Sequence, residues 1–211
     1  IDFIGGSVVG GTSNVDFNAT SNMSEFADGV TLNADLNLTG SNDHFEIQNG
    51  LTLNGTANLS GYSSRLDFAG TQSFGASSGQ TATVEMGEYN TKLQVTDGGT
   101  LTLDSTVTVV GEGTVTGSGT GDAIINNGLI HANQDNANII LSPETFTNTG
   151  TLRASNNGGL SLKNDWDNNG TIELDTGRLY LYGDRATENL NQSTLVRSEE
   201  RRVGKEGRSR W

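Results

Sequence analysis

The chain has 211 residues, a formal net charge of −13, 29 glycines, one proline and no cysteine. The missing cysteines exclude a disulfide framework and a thiolate metal site, and no stretch approaches the ~18 apolar residues of a membrane helix. Hydrophobic residues make up 32% and charged residues 18%; the charge is too low for charge-driven disorder, and Asn, Thr, Ser and Gly fill the remainder as residues of turns and strand surfaces.

Residues 1–25 read as an irregular start or an incomplete turn. The chain opens on Ile1 without a start Met or signal peptide, which reads as part of a longer protein that continues into further repeats. From residue 26 to 196 the sequence repeats itself. ADGVTLNADL surrounds Gly29 and QNGLTLNGT surrounds Gly50 as weak copies of one phrase. An irregular turn is expected near FAGTQSFGA. VTDGGTLTL (Val95–Leu103) reads as a further copy, and the phrase sharpens in IINNGLIHA (Ile124–Ala132), FTNTGTLRA (Phe146–Ala154) and WDNNGTIEL (Trp166–Leu174).

In register, the first position of these copies holds Val95, Ile124, Phe146 and Trp166, and the third holds Asp97, Asn126, Asn148 and Asn168. The fifth is Gly99, Gly128, Gly150 and Gly170; the seventh is Leu101, Ile130, Leu152 and Ile172. A second phrase interleaves with the first: ANIILSP, GGLSLKN and GRLYLYG align on Ile139, Leu160 and Leu179. Each period therefore carries at least two short alternating strands, with aliphatic residues inward and Arg153, Glu173, Ser161 and Tyr180 outward. Helical spacing of apolar residues is missing.

A period of 20–29 residues built from strands implies a solenoid. The expected fold is all-β, a right-handed parallel β-helix of about seven turns, on the order of 35 Å long. The recurring Asn126, Gly128, Asn148, Gly150, Asn168 and Gly170 read as structural repeat residues. The glycine either supplies a positive φ or lets neighbouring backbones approach closely; the asparagine tolerates left-handed geometry and can form an amide ladder.

Candidate chemistry is sparse. Asp165 and Asp167 flank Trp166, but the repeat places them in a turn on the outer side, where they read as solvated acids. His44 and His131 read as polar rungs, and His131 aligns with Arg153 and Glu173, which stacking would bring together. Thr-x-Thr pairs recur at unequal spacing, as ordinary β-propensity explains. Tyr180 and Tyr182 form the best exposed aromatic pair and are the candidate glycan contact. The bases before residue 197, Arg65, Lys92, Arg153, Lys163, Arg178 and Arg185, are few and scattered. No catalytic, metal or cofactor-binding constellation emerges, and no cofactor is expected.

Residues 197–211, RSEERRVGKEGRSRW, hold six of the twelve basic residues. They resemble translated adapter or vector sequence and read as a non-native or disordered tail, so they are not taken as a nucleic-acid site.

The phrases INNGLIHA, SPETFTNTGTLRA, GGLSL and DNNGTIEL resemble the β-helical repeats of large bacterial secreted or cell-surface proteins, autotransporter passengers and filamentous-haemagglutinin-like adhesins. The resemblance covers residues 95–182 well and 26–94 loosely. It implies an extracellular or cell-surface, outer-membrane-associated rod and supplies no catalytic residues. The expected function is a non-catalytic structural or adhesive segment; the alternative is a polysaccharide-binding or polysaccharide-degrading β-helix, a lyase or hydrolase. A host or environmental glycan or a surface protein is the expected partner, with no nucleic acid and no membrane insertion by this segment.

Overall fold

A computed structural model of the chain describes residues 1–21, 23–182 and the strand backbone of Thr194–Arg197. The tail reading for residues 198–211 and the base Arg185 lie outside the described residues. Among the described residues there is no helix. Every named strand pairs in parallel with its counterpart one coil away, and the chain winds as a right-handed parallel β-helix.

Each coil has three faces. The first is an eight-stranded sheet, one strand per coil, so the described residues make about eight turns rather than the seven or so expected. The eighth comes from Thr12–Ser13, Phe17–Asn18 and Ser24–Ala27, which pair with the next coil. The second and third faces share one 16-stranded sheet. They merge because Ala82–Thr96 and Val107–Gly117 run through the corner as unbroken strands. A register shift between Gly87 and Lys92 marks the corner in the first of these.

Alternation along each strand sends one side chain in and the next out. On the second face Phe17, Leu36, Ala57, Val84, Val109, Ile130, Leu152 and Ile172 stack in one inward column. From Leu36 onward all are fully buried. On the third face the column is Phe45, Leu66, Leu93, Val115, Leu141 and Leu162. Aromatic rings fill the early coils, with Phe26 and Phe45 centroids 4.6 Å apart and Phe17 and Phe26 5.1 Å apart. Ser161, expected outward, is only 7% exposed; its rung neighbours Ile140 and Tyr180 flank it on both sides.

The copies of the repeat phrase occupy two different corners, which the alignment merged. Gly29, Gly50, Gly70 and Gly98 precede first-face strands, and all have positive φ, from 66° to 95°. Gly70 is the corner hidden in the long gap between Gly50 and Gly99. Gly128, Gly150 and Gly170 follow first-face strands, and none has positive φ. Their reason is close approach: a Cβ on Gly150 would collide with the carbonyl oxygen of Gly128, and one on Gly170 with that of Gly150. VTDGGTLTL therefore sits elsewhere in the coil than IINNGLIHA. Leu101, not Val95, pairs with Ile124, and Val95 pairs with Gly117.

The repeated asparagines also differ from expectation in one respect. Asn126, Asn148 and Asn168 do not take left-handed geometry; they point inward, 1%, 0% and 1% exposed. The Asn126 amide donates to Asn148 Oδ1 at 2.7 Å, and the Asn148 amide to Asn168 Oδ1 at 2.6 Å. Each amide also reaches the carbonyl of the glycine two residues on, at 3.3–3.4 Å. The rung above Asn126 is Leu103, which has no amide to offer, so Asn126 Oδ1 stays without a partner.

Two outcomes follow for chemical denaturation. Leu152→Ala should lose about 2–5 kcal/mol, because its column neighbours cannot close the void. Asn126→Leu should be milder than Asn148→Leu: the first breaks one inter-rung bond at the ladder's end, the second two in its middle, each orphaned amide group costing about 1–3 kcal/mol. Equal losses would show that the ladder is not the unit of stability.

Candidate functional site

The strands His44–Gln48, Arg65–Ala69 and Lys92–Thr96 carry one phrase in three coils: HFEI, RLDF and KLQV. Their apolar residues point inward. The first residues, His44, Arg65 and Lys92, are direct cross-strand partners on the outer surface. Two residues earlier the chain turns at Asn42 and Ser63, with φ of 61° and 57°, while the corresponding Asn90 lies in the unbroken strand at its register shift. Together with Ser21 these rows line a groove of about 380 Å³.

Asp67 lies on the next outward row and is 4% exposed. Its Oδ2 is 2.7 Å from His44 Nε2 and 3.2 Å from Arg65 Nε, while its Oδ1 has no partner. Arg65 Nη2 lies 3.1 Å from His44 Nδ1. A guanidinium only donates, so Nδ1 must accept and the ring proton sits on Nε2, facing Asp67. Both imidazole nitrogens are thus engaged. Neither nitrogen is left free toward the groove. Among the described residues Lys92 has no ion pair. The sequence alone left these bases scattered; the shared phrase one period apart is the signal that unites them.

The residues singled out from sequence stand apart from this groove. Tyr180 and Tyr182 are 38% and 50% exposed. Lys163 Nζ lies 5.7 Å from the Tyr182 ring centroid, and the Tyr180 ring edge lies over Gly159. Asp165 and Asp167 are exposed on either side of buried Trp166, with rung partners Thr145 and Thr147. Among the described residues no group of three or more acids and histidines could hold a metal ion.

On the second face His131, Arg153 and Glu173 occupy successive rungs. Arg153 Nε and Glu173 Oε2 are 3.8 Å apart and both side chains are 40% exposed, so the pair contributes little. His131 Nε2 is 2.8 Å from Ser155 Oγ. Burial, and then the Arg153 charge, pull the imidazole below its ordinary value of 6.5, with Glu173 opposing in part.

No protein family, curated protein or solved structure compared with the chain matches it.

The depressed His131 value has a pH consequence. The unfolded chain takes up the proton before the folded one, so stability rises with pH through this window. The neutral ring's contribution is complete above its ordinary value and is lost as the pH falls below it. His131→Gln should therefore show a smaller drop in Tm than the parent between about pH 7.5 and about pH 5. An unchanged drop would assign the acid sensitivity to other groups.

Proposed function

We propose that the chain is a non-catalytic structural and adhesive segment of a large secreted or cell-surface bacterial protein, exposed outside the cell. The resemblance of phrases such as INNGLIHA and DNNGTIEL to the repeats of autotransporter passengers and filamentous-haemagglutinin-like adhesins supports this reading. The observation that carries it is the division of labour in every coil. Inward positions are used up by the core and the buried amide ladder, while outward positions hold the exposed chemistry, repeated in some columns, as at Asn18, Asn37 and Asn58, and varied in others, as at His131, Arg153 and Glu173. A rigid stack of this kind presents contact residues along a line rather than in a deep pocket.

A polysaccharide-binding or polysaccharide-degrading β-helix is the second reading. One observation favours it, the groove beside the His44–Asp67 pair. Within that reading binding fits better than cleavage, because both nitrogens of His44 already have partners. Tyr180 and Tyr182 would offer a further sugar contact at the other end of the third face.

Beads carrying the full chain should adhere to glycan-coated or host-protein-coated surfaces more than beads carrying an inert acidic protein. Incubation with a panel of soluble polysaccharides should release no new reducing ends and no unsaturated products. Steady release of either would replace the adhesive reading by the enzymatic one.

A further inference from the structure

We propose that the groove lined by Ser21, Asn42, Ser63, Asn90, Arg65 and Lys92 binds a saccharide bearing a single isolated carboxylate. This assignment deepens the adhesive reading and rests on it.

Charge comes first. Arg65 and Lys92 are adjacent rungs, and stacked strands lie about 4.8 Å apart. Like charges at that distance repel. Asp67 answers Arg65 through one oxygen, but Lys92 has no carboxylate among the described residues. The groove therefore keeps one uncompensated cation, in a chain whose net charge is −13. A carboxylate between Lys92 Nζ and the free edge of the Arg65 guanidinium would meet both.

The surroundings set the ligand's charge density. Glu46 stands two residues along the strand from His44, and Glu25 is its cross-strand partner. Gln48 binds both, at 2.7 Å to Glu46 and 3.0 Å to Glu25. Asp67 continues this acidic row, which runs beside the basic one. A closely sulfated chain or a nucleic acid would meet that row and the acidic body; a sugar with one carboxylate would not.

Neutral recognition is also present. Asn42, Ser63, Asn90 and Ser21 supply amide and hydroxyl groups suited to sugar hydroxyls. Tyr62 and Tyr89, 59% and 56% exposed, stand immediately before Ser63 and Asn90 on adjacent coils. Two of the chain's four tyrosines thus adjoin groove-lining residues in the chain, and exposed aromatic faces are contact surfaces for sugar rings.

Calorimetric titration of the full chain tests the assignment, with a glucuronyl-terminated disaccharide as probe and its carboxyl-reduced analogue as comparison. The acidic disaccharide should bind, with the reduced analogue and Lys92→Gln each at least about tenfold weaker. Tyr89→Ala should also weaken binding, and Arg178→Gln should not. Among the described residues Lys92 has no ion pair to lose, so its variant should keep the parent's circular dichroism and Tm. Equal binding by the reduced analogue, or by Lys92→Gln, would overturn the proposal. So would tighter binding of heparin or an oligonucleotide than of the disaccharide. Disaccharide binding together with beads that adhere to nothing would leave the groove standing and sink the adhesive reading. Adhesion by the beads together with no binding of the disaccharide would do the reverse.

Discussion

The structure depends on one constraint: each residue of a strand lies directly over its counterpart in the next coil. Parallel pairing at about 4.8 Å stacks like on like, so a choice made in one coil is imposed on its neighbours. Leucine over isoleucine gives a dry column. Asparagine over asparagine gives a ladder in which one amide group donates and the next accepts. Glycine over glycine lets corner backbones approach to a distance no side chain would permit.

The same rule governs the outer surface, with opposite effect. Outward rungs face no hydrophobic core, so where they do not bond to one another, as Asn18, Asn37 and Asn58 do, their chemistry can change from coil to coil. Where like charges happen to coincide, as at Arg65 and Lys92, stacking produces a field that a globular surface would disperse. Where opposite charges coincide, as at Arg153 and Glu173, it produces an exposed pair of small consequence. A groove arises at the corner before the third face because polar turn residues stack beside the basic rungs.

Defects in the repeat are as informative as its regularity. The amide ladder begins abruptly at Asn126 because the rung above is Leu103, and the unsatisfied Oδ1 marks the junction of an apolar column with a polar one. The register shift between Gly87 and Lys92 sets four residues opposite one and so accommodates three additional residues, and Tyr89 is exposed there.

Much of the architecture was legible in the sequence. Strict alternation in short segments, recurring at a fixed period, admits little besides a parallel solenoid, because only stacking can bury faces so small. The inward identity of Ile130, Leu152 and Ile172 follows from that alternation alone. The sequence could not separate the two glycine corners, since a glycine needed for positive φ and one needed for close approach are the same letter with the same neighbours. Nor could it unite His44, Arg65 and Lys92, which lie 21 and 27 residues apart and become neighbours only once the unequal coil lengths are resolved. Period and polarity are local properties and are written in the chain. Which rung meets which is decided by hydrogen-bond register between coils, and that exists only in the folded stack.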